Sequence, residues 1–185
     1  MNELIGLNFK YRILEELPGG GEPLKYIPHG NPGAGRDGLI VRFFPQSTTD
    51  WTGVFAFGDM LPNGECGVFE GPGKNHLTVL AKGEAYVVAA DNPKSFEQVN
   101  CCPVVAVVPV PSHNMILFHD LTDIAAYNEA GLLWQTGRIS WDGIEIVSIK
   151  DEQIFGLAWD APNEKYVEFK VDLASGTHEG GAYPP

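Results

Sequence analysis

From Leu39 onward the chain alternates short apolar pulses with turn-forming residues, and the pulses have the period of two expected of strands with one buried face. They predict strands at Leu39 to Phe44, Gly53 to Phe57, Cys66 to Phe69, Leu77 to Ala81, and Ala85 to Ala90. Further strands are predicted at Val104 to Val110, Met115 to His119, Asp123 to Tyr127, Leu132 to Trp134, Ile144 to Ile149, Ile154 to Trp159, and Tyr166 to Val171. Turn signals separate them, among them Pro62-Asn63-Gly64, Gly71-Pro72-Gly73, Asp91-Asn92-Pro93, Asp142-Gly143 and Ala161-Pro162-Asn163-Glu164. Sequential strands joined by short turns pair antiparallel, so the pattern predicts an all-β meander.

The pulses also echo one another at an offset of 39 residues. Cys66, Val68 and Phe69 return as Val105, Val107 and Val108 and then as Ile144, Ile146 and Val147. Leu77 and Val79 return as Ile116 and Phe118 and then as Phe155 and Leu157, while Val88 returns as Tyr127 and Tyr166. A period of this size suits four-stranded units of the kind stacked in propeller blades. We therefore expect one all-β domain over 1–185, with an irregular segment over 1–38 and about three blade-like, propeller-like units over 39–181. Within the first segment only Phe9 to Leu17 suggests a regular element, a short helix or strand ended by Pro18. Three units leave ring closure open. Either Leu39 to Phe57 forms a degenerate fourth unit, or free strand edges need cover from the N-terminal segment or from a second copy, which makes a homodimer an expectation.

Composition narrows the partners. Twelve Lys and Arg against 24 Asp and Glu give a net charge of −12 with no basic cluster, which argues against nucleic acid. No stretch approaches a membrane span, the N-terminus lacks a basic start and an apolar core, and three cysteines without regular spacing do not form a secreted disulfide framework. The expected setting is the cytoplasm.

Few residues point to chemistry. Gly33 to Gly38 has no strand before it and no helix after it, so it reads as a surface loop rather than a phosphate cradle. Trp141-Asp142 and Trp159-Asp160 lack the upstream Gly-His of a Trp-Asp repeat. His113, His119, Asp120 and Asp123 do not form a metal-ligand spacing, and vicinal Cys101-Cys102 lacks the Cys-x-x-Cys geometry of a redox centre. With no nucleophile elbow either, no catalytic residue, metal or cofactor is expected. The segment from Gly131 to Gly143 stands out because Trp134, Arg138, Trp141 and Asp142 combine aromatic anchors, a planar donor and an acid, a composition suited to a contact surface. Its alternative use is a brace between Arg138 and Asp142 with both rings buried.

The segments Gly131-Leu132-Leu133-Trp134, Ser140-Trp141-Asp142-Gly143, Gly156-Leu157-Ala158-Trp159-Asp160 and Val171 to Gly181 resemble a family of uncharacterised bacterial proteins, over roughly residues 100 to 181. The resemblance implies a propeller-related all-β fold in a bacterial cytoplasm and brings no activity or site residues. The expected function is a non-enzymatic binding module with a protein partner, of immunity or scaffold type. The competing expectation is a small-molecule or carbohydrate binder, or a hydrolase, using Trp134 and Trp141 beside Asp142.

Overall fold

The computed structural model describes residues 9–19, 24–26, 37–58 and 64–182, and within them sixteen strands form four four-stranded sheets. Sheet I holds β1 (Phe9–Leu14), β2 (Leu24–Tyr26), β3 (Gly38–Pro45) and β4 (Trp51–Ala56) in the order β1-β3-β4-β2, with β2 parallel to β4. Sheet II is the meander β5 (Cys66–Glu70), β6 (His76–Ala81), β7 (Glu84–Ala89) and β8 (Phe96–Gln98). Sheet III follows with β9 (Ala106–Val110), β10 (Met115–His119), β11 (Ile124–Asn128) and β12 (Gly131–Gln135). Sheet IV ends the series with β13 (Ile144–Lys150), β14 (Gln153–Asp160), β15 (Lys165–Asp172) and β16 (His178–Gly180).

The all-β fold is therefore observed, with antiparallel meanders in sheets II, III and IV and a fourth sheet, of crossed strand order, where the sequence predicts about three units. The difference lies in the N-terminal segment, whose β1 and β2 complete a sheet around the Leu39 to Phe57 strand pair. Short strands with few apolar residues, such as β8 and β16, carry too little pattern to be predicted alone. Residues 33–36 of the Gly33 to Gly38 run, and Pro62 and Asn63 of the predicted Pro62-Asn63-Gly64 turn, lie outside the described residues.

Burial alternates along the outer sheets and not along the inner ones, and this reveals how the sheets stack. Leu39, Val41 and Phe43 of sheet I meet Leu77, Val79 and Val88 of sheet II. The other face of sheet II, with Leu80 and Val87, meets Val107, Ile116, Phe118 and Tyr127 of sheet III. On its far side sheet III places Val110, Met115, Leu117 and Ala126 against Ile154, Ala158, Phe169 and Val171 of sheet IV. Strands such as β10 are consequently buried at every position, as a strand between two cores must be. Among the described residues no apolar cluster joins sheet I to sheet IV.

Tryptophan and tyrosine side chains tie consecutive sheets together. The Trp51 indole Nε1 donates to the Ala90 carbonyl at 2.8 Å, and Trp134 Nε1 donates to the Leu173 carbonyl at 3.0 Å. Both links span 39 residues, so they recur at the period of the apolar echo. The buried Tyr86 hydroxyl donates to the Ala56 carbonyl at 3.0 Å, satisfying a polar group that the core would otherwise penalise.

The third term of the echo departs from the expectation. Leu77/Val79 and Ile116/Phe118 face back onto the preceding sheet, whereas Phe155 and Leu157 point away from sheet III. The inward face of β14 is taken by Ile154, Gly156 and Ala158. Two features cause this. β14 is apolar on both faces, so alternation alone does not say which face is buried. In addition, Ile146 pairs with Gly156 and Ser148 with Phe155, leaving Val147 as the extra residue of a β-bulge that resets the register of β13.

Candidate functional site

The loop from Thr136 to Gly143 leaves sheet III and enters sheet IV, and its backbone is held at both sides. Ile139 N–H donates to the Thr122 carbonyl at 2.8 Å, Gly143 N–H to the Leu121 carbonyl at 2.8 Å, and Trp141 N–H to the Trp159 carbonyl at 3.1 Å. Fully buried Ser140 completes the anchor, its hydroxyl donating to the Gly143 carbonyl at 2.6 Å and accepting from Trp159 N–H at 3.0 Å.

The four residues expected to form a contact surface divide between two roles. Trp134 belongs to the packing of sheets III and IV: its ring lies where a Cβ on Gly176 would come within 2.6 Å, and Gly176 has a φ of +72° that suits glycine. Arg138 serves its own loop, Nε donating to the Ser140 carbonyl at 3.0 Å and Nη2 to the Trp141 carbonyl at 2.8 Å, with the guanidinium 5.9 Å from the Trp141 ring centre. Trp141 remains 37% exposed and Asp142 is exposed. The structure thus brings Arg138 and Trp141 together at the surface and sets Trp134 apart as a brace. The Arg138 charge also acts on the Asp123 carboxylate, lowering its pKa against the effect of burial.

Beneath this loop the β10–β11 turn gathers ionisable groups. Asp120 Oδ1 accepts from Thr122 N–H at 2.6 Å and Asp123 N–H at 2.9 Å, and Asp123 accepts from Gln135 Nε2 at 2.8 Å. Burial raises the Asp123 carboxyl above its ordinary range, opposed by the hydrogen bond from Gln135. Burial also lowers the His119 imidazole, whose Nδ1 lies 2.9 Å from the Asp120 carbonyl. The Cys101 thiol is pushed far up, first by burial and then by Asp120 and Asp123. These shifts oppose a thiolate nucleophile and a charged imidazole. Among the described residues no three His, Cys, Asp or Glu side chains are arranged to hold a metal ion. His113 is remote from this turn in its contacts, bonding Glu152 Oε2 at 2.7 Å instead.

The surface that sequence reasoning missed is the outward face of sheet IV. Val147 is 60% exposed and Tyr166 55%, and partly buried Phe155, Leu157 and Trp159 lie between them. Trp159 and Tyr166 rings approach to 5.1 Å, which continues the aromatic surface toward Trp141 and Gly143. A shallow groove of about 530 Å³ runs over Val147, Phe155, Leu157, Glu168 and Lys170. Charges of both signs rim it: Lys150 Nζ stands 5.2 Å from the Phe155 ring centre, Lys170 pairs with Glu179 at 2.9 Å, and Glu145 and Glu168 are exposed. The sequence carries part of the signal, since β14 is apolar on both faces, but its alternation does not say which face the core takes.

No protein-family model matches the chain, and a search of curated proteins finds no match to it. Among the described residues no helix is long and apolar enough to cross a membrane.

Proposed function

We propose that this chain is a non-enzymatic binding module that contacts another protein through the outward face of sheet IV and the adjoining Arg138–Trp141 loop. The observation that carries the reading is an apolar sheet face, centred on Phe155 and Leu157, that no core of the described fold covers. Partly exposed apolar and aromatic side chains at its centre, flanked by exposed Val147 and Tyr166 and by charges at the rim, are the composition of a protein interface. The matching surface on a partner is apolar at its centre and carries charges of both signs at its edge. Three cysteines outside any disulfide are compatible with a reducing setting, and we place the module in the cytoplasm on that basis. A ligand-binding role for Trp134 and Trp141 beside Asp142 is less well supported, because Trp134 is built into the core and Arg138 and Trp141 stabilise their own loop.

A photo-crosslinking residue at Val147 or Tyr166 is expected to give discrete protein adducts in the host cell, whereas the same residue at exposed Lys74, in the β5–β6 turn of sheet II, gives none. Equal labelling from all three positions, or none from Val147 and Tyr166, would overturn the reading.

A further inference from the structure

We infer that the outward face of sheet IV is self-complementary and that its occupant is the same face of a second copy, related by a two-fold axis lying between the sheets and at right angles to the strands. This deepens the binding reading above by naming the partner, and it rests on that reading's surface.

The support comes from how charge is distributed in rows across the strands. Residues paired across a sheet form rows, and outward-facing rows lie about 7 Å apart along the strand. One row contains Ser148, Phe155, Lys170 and Glu179, and the next contains Glu145, Leu157 and Glu168. Beyond the first row Lys150, Gln153 and Asp172 form a further row, so both lysines of the face lie toward the β13–β14 hairpin, while the Asp172 carboxylate there is engaged by its own turn, accepting from Ser175 N–H at 2.8 Å and from the Ser175 hydroxyl at 2.7 Å. The acids Glu145 and Glu168 lie one row further from it. Apolar side chains occupy the middle of both rows.

A two-fold axis midway between these rows and perpendicular to the strands exchanges them while keeping each strand over its counterpart. Phe155 of one copy then covers Leu157 of the other. Lys170 meets Glu168 of the second copy on the β15 side, and the same pair forms again by symmetry. Because Lys170 already holds Glu179, the contact becomes an acid–lysine–acid chain rather than an isolated pair. The alternative axis, parallel to the strands and passing over β14, keeps each row over itself: it sets Glu145 against Glu168, and it offers Lys150 only the Asp172 carboxylate that Ser175 already holds. Repulsion between those like charges selects the first arrangement. Two packed sheet faces with strands nearly aligned are a standard core geometry, so the association repeats the kind of contact already made between sheets III and IV.

The outward face of sheet I offers the competing occupant. It carries Lys10, Arg12, Arg42 and Phe44, and a second copy docked there by its acidic sheet IV would assemble head to tail. Such growth does not stop at two.

Sedimentation of the full chain across the micromolar range distinguishes these arrangements. Wild type is expected to pass from a 20.1 kDa monomer to twice that mass and no further as concentration rises. Leu157→Glu and, independently, Val147→Glu are expected to remain monomeric while keeping the wild-type circular dichroism spectrum. Glu168→Lys is expected to weaken the dimer about tenfold, and Glu168→Lys combined with Lys170→Glu to recover most of that loss, since the cross-copy pair is restored with reversed sign. Four results would overturn the proposal: a monomer at every concentration, assembly beyond two copies, a dimer indifferent to both Leu157→Glu and Val147→Glu, or a double variant no tighter than Glu168→Lys alone. Failure here is separable from failure of the binding reading. A monomer whose Val147 crosslinks to a different protein refutes the dimer and retains the contact face.

Discussion

Phe118 and Leu157 occupy matching places in the sequence echo and opposite places in the fold, so truncating each to alanine separates the two descriptions. Phe118 is fully buried between sheets II and III, with its ring edge-on to Tyr127 at a centroid distance of 5.4 Å. Removing a phenyl ring from such a site loses its transfer free energy and leaves a cavity that packed sheets on both sides resist closing. The expected cost is about 3 to 5 kcal/mol. Leu157 is partly exposed on the outward face, where alanine removes a side chain that water already reaches, and the expected cost is below about 1 kcal/mol. With a urea m-value near 2 kcal/mol/M, the midpoint of unfolding falls by about 1.5 to 2.5 M for Phe118→Ala and by less than about 0.5 M for Leu157→Ala. The comparison is made on dilute protein, so that any association through sheet IV does not add to the apparent stability. Equal midpoint shifts would refute the assignment of Leu157 to the outward face.

Other consequences follow from individual contacts. Trp134→Phe keeps most of the ring packing and removes the donor to the Leu173 carbonyl, so chemical denaturation is expected to show a loss of about 1 to 2 kcal/mol with little change in the far-ultraviolet spectrum. Thiol labelling of native protein with a disulfide reagent is expected to reach Cys66 first and to spare Cys101 until unfolding, because Cys101 is buried beside Asp120 and Asp123. The folded state holds the Cys101 proton above the ordinary thiol value of 9.0, so the unfolded chain releases it first and this group lowers stability as the pH rises past 9.0. Cys101→Ala is expected to reduce that alkaline loss. His119 works in the opposite direction: burial lowers its pKa, the unfolded chain takes up the proton first, and stability falls as the pH drops below the ordinary value of 6.5. His119→Gln is expected to shrink the stability difference between neutral and mildly acid pH, measured by urea midpoints. A difference unchanged by the substitution would contradict the burial of that imidazole.

Much of the fold was legible because strand periodicity and turn chemistry are local. Met115 to His119 needed only its apolar run and flanking polar residues, and its placement between two cores explains why no position in it is polar except His119 at the end. The make-up of sheet I was less legible, since β1 and β2 join it by pairing with strands distant in sequence. The candidate surface was obscured for a different reason. Phe155, Leu157 and Tyr166 look like core residues by composition, and only the bulge at Val147 and the filling of the opposite face by Ile154 and Ala158 turn them outward. For Trp134 the sequence left a contact surface and a buried ring both open, because nothing local to Gly131–Gln135 announces the Leu173 carbonyl and the bare Gly176 that receive its ring.

Methyl resonances measured with a soluble gadolinium chelate test the exposed apolar face most directly. In a sample that sediments as a monomer, the Val147 and Leu157 methyls are expected to broaden strongly while those of Val79 and Ile116 are spared. As concentration rises and copies associate, Leu157 is expected to become protected and Val79 and Ile116 to stay unchanged. Leu157 methyls shielded as fully as those of Ile116 in the monomer would contradict the outward face, and with it the surface on which the proposed binding depends.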